Sequence, residues 1–265
     1  MLTFIGLGLY DERSITVEGR DALRTMDQAF MEQYTSRLVG TDVQALEAEH
    51  EIEIEIRDRT DVERSPEPML EAAVDEDVAF LTAGDPMIST THVDLQLRAA
   101  DRGIETRIIH GTTAEAAASS LTGLQNYRFG PATTLPFPYA HGADGLPESV
   151  TSTIDDNTER GLHTLVYLDI KVGPDPTGRR DGDEYMTGAV AAGLLADTYD
   201  QRLGVVVARA GSPEPRVAAN SLDSLATREF GGPLHLLVLP GELHHIEAEA
   251  LRTFADAPAE LTPLD

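Results

Sequence analysis

Cysteine is absent from the 265-residue chain, which removes disulfides, thiolate nucleophiles and cysteine-held zinc or iron–sulfur centres together. Lysine is nearly absent too: of the 20 basic residues, Lys171 is the one lysine and the other 19 are arginine. No stretch reaches the roughly 18 apolar residues that cross a bilayer, and residues 1–13 have neither the basic start nor the apolar run of a secretory signal. A soluble, cytoplasmic protein that engages no membrane is expected. Missing motifs narrow the chemistry further. A Walker loop needs a lysine behind glycines, whereas Lys171 follows Leu168-Asp169-Ile170. Neither a Gly-x-Ser-x-Gly elbow nor a His-Glu-x-x-His helix occurs.

Acid is what the chain has in abundance. Its 46 Asp and Glu residues give a formal charge of −26, and they are spread along the whole sequence rather than massed in one tract. Such a surface suits a protein kept hydrated in molar salt, where repulsion between carboxylates is screened within roughly 3 Å. A halophilic source is expected, and direct binding of nucleic acid is not. Hydrophobic residues make up 41% of the chain, enough for a substantial core, and the length fits two α/β domains.

Short apolar runs that end in glycine or turn residues alternate with helix-like stretches. The runs are 2–7, 52–56, 78–81, 106–109, 164–168, 204–208 and 234–239. Helices are expected near 16–26, 67–75, 91–102, 113–123, 184–197 and 244–256. This pattern predicts an α/β fold of two domains, residues 1–111 and 112–265, with mostly parallel sheets. Residues 51–57 alternate Glu and Ile strictly, as a strand with one wet face near a sheet edge would. The Pro- and Gly-rich stretches 136–150 and 173–183 are expected to be surface loops.

In α/β sheets ligands gather at the carboxyl ends of strands. One such end is Gly6-Leu7-Gly8-Leu9-Tyr10-Asp11, where two glycines would let a ligand approach the backbone; a tight strand-to-helix turn would need them equally. A dinucleotide fingerprint would place a third glycine at Asp11. At Gly84-Asp85-Pro86 the proline biases Asp85 out of any helix, leaving a carboxylate at a strand end for a ligand or for the turn itself. Leu168-Asp169-Ile170-Lys171 ends another strand, and Ala208-Arg209-Ala210-Gly211-Ser212 supplies small residues with room for a flat ring. His235 opens the last apolar strand, where a lone histidine is commonly structural. His244, His245, Glu247 and Glu249 lack the spacing of a metal site, and none is expected.

Together these blocks resemble the diphthine synthase family. The matching segments are Phe4 to Arg13 (FIGLGLYDER), Gly84-Asp85-Pro86 with Thr90-Thr91-His92, Glu159 to Leu165 (ERGLHTL), Leu168 to Lys171 (LDIK), Ala208 to Ser212 (ARAGS) and Pro240 to His244 (PGELH) followed by Glu247-Ala248-Glu249. They span nearly the whole chain. GLGLYDER and LDIK belong to that family, whereas Gly-Asp-Pro is shared with the wider tetrapyrrole methylases. The resemblance implies a homodimer of two-domain α/β chains with S-adenosylmethionine in the interdomain cleft. Its cofactor contacts fall on Leu9, Asp85, Ile88, Thr113, Ala114, Leu168, Ala210 and His235. Residues 110–114 depart from the family's usual Pro-Ser loop, and Met87-Ile88 replaces smaller or branched residues, so contacts there would run through the backbone. The implied reaction is repeated methylation of the amine of 3-amino-3-carboxypropyl-histidine on translation elongation factor 2. A tetrapyrrole-precursor methylase and a non-catalytic nucleotide-binding protein are the rival readings.

Overall fold

All five residues of Leu2–Gly6 are buried, and a strand apolar on both faces needs a layer on each side and neighbours on both edges. The computed structural model, which describes residues 1–140, 145–174 and 178–263, supplies both. This strand, β1, opens the first of two units, Met1–Thr113 and Ala114–Asp265. The division falls two residues beyond the expected one.

The first unit continues through α1 (Val17–Leu23), β2 (Gln28–Glu32), α2 (Val43–His50), β3 (Ile54–Arg57), α3 (Arg59–Glu63), α4 (Glu67–Asp75), β4 (Val78–Thr82), α5 (Val93–Asp101) and β5 (Thr106–Ile109). Its sheet has the order β3-β2-β4-β1-β5, and every pairing is parallel. Side chains alternate between faces. Leu2, Phe4, Phe30, Val78 and Phe80 pack with Leu70 of α4 and Leu95 of α5; Ile5, Ala29, Met31, Ala79 and Leu81 pack with Leu23 of α1 and Leu46 of α2. Register partners Phe4 and Phe80 meet edge to face at 5.8 Å. Local chemistry starts the helices: Thr16 and Asp42 accept from the backbone N–H of Gly19 and Ala45, and Asp58 with Asp61 forms a capping box. Strand β3 lies at the sheet edge but starts at Ile54 rather than 51, and its faces are only partly as expected: Ile54 is buried and Glu55 exposed, while Ile56 is exposed too.

The second unit runs through α6 (Ala114–Thr122), β6 (Thr133–Leu135), α7 (Glu148–Glu159), β7 (Thr164–Leu168), β8 (Ile170–Lys171), β9 (Glu184–Tyr185), α8 (Gly188–Ala196), β10 (Leu203–Ala208), β11 (Arg216–Ser221), α9 (Leu222–Ala226), β12 (His235–Leu239) and α10 (His245–Ala255). The main sheet has the order β11-β10-β12-β7-β6. Here only β6 and β7 pair in parallel; the other three pairings are antiparallel. Parallel pairing therefore dominates the first unit and the two main sheets together, but not the second sheet. Chain length accounts for one of the three: residues 209–215 are too few for a crossover, so β11 must return beside β10 in a hairpin.

One expected loop and one expected helix differ in part. Helix α7 begins at Glu148, inside the stretch expected as loop, and residues 141–144 of that stretch lie outside the described residues. The helix expected from 184 begins at Gly188, because Glu184–Tyr185 pairs with Ile170–Lys171 and Thr187 caps the turn that follows. Residues 175–177 of the 173–183 stretch also lie outside the described residues.

Among the described acidic residues only Glu32, Asp85 and Glu247 are buried, so the charge of −26 is carried at the surface and repels itself in dilute buffer. The midpoint of thermal unfolding is expected to rise between dilute and molar potassium chloride. A midpoint independent of salt would contradict a surface built for high ionic strength.

Candidate functional site

Strands β4 and β5 flank β1, and the chain beyond each of them closes over the end of β1. A Cβ placed on Gly6 would lie 2.5 Å from the Gly111 nitrogen and 2.6 Å from the Gly84 oxygen; one on Gly111 would lie 2.2 Å from the Gly84 oxygen. Three backbone segments thus meet where no side chain fits. Gly8 is likewise filled from within, its Cβ position lying 2.4 Å from the Ser14 oxygen. The two glycines of the first motif serve the chain's own packing, as the tight-turn alternative required. Gly84 is the open one: its φ is +79°, and an added Cβ would meet nothing within 4 Å.

Asp85 sits in this junction, 5% exposed. Its Oδ1 accepts from the Met87 N–H at 2.9 Å, and its Oδ2 accepts from the Gly111 N–H at 3.3 Å and faces Nδ1 of His110 at 2.7 Å. The carboxylate ties the ends of β4 and β5 together across Gly6. A carboxylate has about four acceptor directions, so these three contacts leave one. Leu9 is half-buried beyond Gly8, which forms a bridge with Gly84, and so lies beside the same junction. Ile88 is 44% exposed in the turn after Pro86. Thr113 is half-buried at the end of the unit.

In the second unit Leu168, Ala210 and His235 gather at one end of the sheet. Leu168 ends β7, Ala210 lies just past β10, and His235 opens β12 opposite Ala208. Ala114, the first residue of α6, and Ala210 pack against the same core cluster. His235 is buried and bonded at both nitrogens: Nδ1 accepts from the Gly188 N–H and Nε2 faces the Gly232 oxygen, each at 2.9 Å. With Nδ1 accepting, Nε2 carries the proton. Burial holds the ring below the ordinary histidine pKa and so neutral. Its side chain is a structural tie. Lys171 pairs with Asp169 at 2.8 Å, and Asp169 also accepts from the Phe137 N–H; the lone lysine fastens its own turn.

A buried polar cluster that the sequence did not reveal lies at the start of α10. Glu247, fully buried, accepts from the backbone N–H groups of Gln125 and His244, from Arg128 at 3.0 Å and from Nε2 of His163 at 3.0 Å. His163 Nδ1 accepts from the Gly241 N–H. Burial would raise the Glu247 pKa, yet the donors from Gln125, His244 and His163 outweigh it and hold the carboxyl low. Burial pushes His163 down, as it does His50, His92 and His235. For each histidine the folded pKa lies below the unfolded value of about 6.5, so the unfolded chain binds the proton first and stability falls as pH drops from there. Glu247 adds a loss of the same sign below about 4.3. Urea midpoints in molar salt are expected to be flat above pH 7 and to decline from about pH 6.5 downward. A midpoint unchanged to pH 5 would contradict the neutral assignment of these rings.

Residues 1–226 match the tetrapyrrole (corrin/porphyrin) methylases. The chain is 70% identical to a diphthine synthase of Halorubrum lacusprofundi, over 98% of this chain and 99% of that one. It is 67% identical to a diphthine synthase of Halobacterium salinarum, again over 98% and 99%. Both are halophilic sources, in keeping with the acidic surface. A crystal structure of a diphthine synthase superposes with a TM-score of 0.88 at 36% identity, covering 100% of this chain and 99% of the other. The chain belongs to the diphthine synthase family of the tetrapyrrole methylases and is an S-adenosylmethionine-dependent methyltransferase.

Proposed function

We propose that this chain transfers methyl groups from S-adenosylmethionine to the amine of 3-amino-3-carboxypropyl-histidine on translation elongation factor 2, as a cytoplasmic homodimer in diphthamide biosynthesis. The observation that carries this reading is the near full-length identity of 70% to a diphthine synthase. The residues proposed to hold the cofactor are Leu9, Asp85, Ile88 and Thr113 in the first unit and Ala114, Leu168, Ala210 and His235 in the second.

These residues fit such a ligand. The turn at Gly84 has open space beside its backbone, and Ala114 and Ala210 are small. Since both nitrogens of His235 and most of the Asp85 carboxylate are already engaged, backbone groups and the remaining lone pair of Asp85 would make the contacts. When bound, the cofactor supplies an electrophilic methyl on a sulfonium. The chain's task is to hold an amine in line with it, a positioning effect of roughly 7–11 kcal/mol.

Asp85→Asn places an N–H where the carboxylate now accepts. It is expected to lower stability by about 1–3 kcal/mol and cofactor affinity by about one to two powers of ten. Thermal melts and calorimetric titration measure the two separately, and an unchanged dissociation constant would remove Asp85 from the cofactor ligands. For the reaction itself, labelled S-adenosylmethionine is offered with either elongation factor 2 or a tetrapyrrole precursor. Label is expected on the factor alone. Transfer to the precursor would support the tetrapyrrole reading, and binding without transfer to either would support a non-catalytic protein.

A further inference from the structure

His110 meets Asp85 but is not among the residues proposed to hold the cofactor. It follows β5 directly, at the end of a parallel sheet where ligands collect, and its Nδ1 lies 2.7 Å from Asp85 Oδ2. The two side chains contrast sharply in exposure: 75% for the ring and 4% for the carboxylate. The carboxylate already has two backbone donors, Met87 and Gly111, so it does not need an exposed imidazole to be satisfied. What the pair does achieve is orientation. With Nδ1–H donating to Asp85, the tautomer is set and Nε2 presents its lone pair on the exposed side of the ring. The Asp85 carboxylate stands across the ring from the nitrogen that would take up the proton. The glycines at positions 6 and 111 let the chain beyond β4 and β5 close over the end of β1, since a Cβ at either would stand 2.2 to 2.6 Å from a neighbouring backbone atom.

We infer that His110, held by Asp85, is the proton acceptor for the amine that is methylated. This rests on the substrate reading above. An alkylammonium has a pKa near 10 and is almost wholly protonated at neutral pH, so each transfer must begin with loss of a proton. The N–H bond breaks, the proton goes to Nε2 and the lone pair stays on the amine nitrogen. That pair forms the new N–C bond while the C–S bond breaks and its electrons return to sulfur, leaving a neutral thioether. His110 then releases the proton to water. The methylated ammonium still carries protons after the first and second transfers, so the same group serves again. A quaternary nitrogen has none, and the cycle stops.

The ring is exposed, so its replacement should leave the fold intact, and near-UV circular dichroism verifies this. His110→Gln is expected to bind S-adenosylmethionine like the parent in calorimetry, to lose about 100-fold or more in kcat on elongation factor 2, and to lose the acid-side inflection of the parent's kcat profile. His110→Ala should recover part of its rate when free imidazole is added. Parent-like kcat and pH profile in His110→Gln would overturn the inference, as would weakened cofactor binding that accounts for the whole loss. Failure of the parent itself to methylate the factor would instead overturn the substrate reading.

Discussion

Replacing Glu247 with alanine is expected to destabilise the second unit by about 3–5 kcal/mol, the usual cost of removing one partner from a buried ionic cluster. The carboxylate is fully buried and is met by four donors. Its removal strands the Arg128 guanidinium, 23% exposed, and the fully buried His163 ring, together with the two backbone N–H groups. It also undoes the capping box that starts α10. Glu247→Gln keeps the volume but turns an amide N–H toward one of those donors, so a smaller loss of about 1–3 kcal/mol is expected. Urea unfolding in molar salt measures both. A loss below 1 kcal/mol for the alanine variant would mean that the cluster is solvated or that the chain repacks around it.

Gly111→Ala is expected to have the second large effect. The new Cβ would stand 2.2 Å from the Gly84 oxygen and 2.9 Å from the Gly6 carbonyl carbon. These atoms are backbone, so relief requires the ends of β1, β4 and β5 to move apart. Overpacking of this kind costs about 1–3 kcal/mol and sometimes more, and it displaces Asp85 by parting its carboxylate from the Gly111 N–H. Loss of S-adenosylmethionine binding is therefore expected alongside the stability loss. Gly84→Ala is the comparison: its Cβ meets nothing of the chain within 4 Å, so it bears the left-handed backbone, worth about 1–2 kcal/mol, and places a methyl in the space proposed for the cofactor. Calorimetric titration of both variants should show the larger defect at Gly111. The reverse order would mean that the open turn, rather than the junction, governs binding.

Strong local patterns were legible in the sequence. The Ile and Glu alternation gave the edge strand β3, and apolar runs gave β1, β4, β10 and β12 to within a residue or two. Elements held by partners rather than by their own composition were not. Strand β2, Gln-Ala-Phe-Met-Glu, is poor in β-branched residues and ends in the buried Glu32, whose carboxylate accepts from the Tyr34 and Thr35 N–H groups. Helix α7 is rich in Ser, Thr, Asp and Asn, weak helix formers, and shows its buried face only through Val150, Ile154 and Asn157. Strand β11 has the unpromising sequence Arg-Val-Ala-Ala-Asn-Ser and exists because the hairpin with β10 folds it back.

The candidate site divides the same way. Strand ends were locatable from glycine and proline, and Asp85 with them. Its pairing with His110, 25 residues on, depends on β4 and β5 flanking β1, which spacing along the chain does not encode. Glu247 was hidden for a similar reason, since its partners Arg128 and His163 lie more than 80 residues away. The one local signal was the His244–Glu247 capping box, disguised by a histidine where serine or threonine usually stands.

The most direct measurement is the mass of the peptide that carries the modified histidine, taken from elongation factor 2 before and after incubation with this protein and S-adenosylmethionine in molar potassium chloride. Stepwise addition of methyl groups to that peptide is expected, with none on the same factor lacking the 3-amino-3-carboxypropyl group. An unchanged peptide mass, with the protein folded and the cofactor bound, would contradict the proposed function.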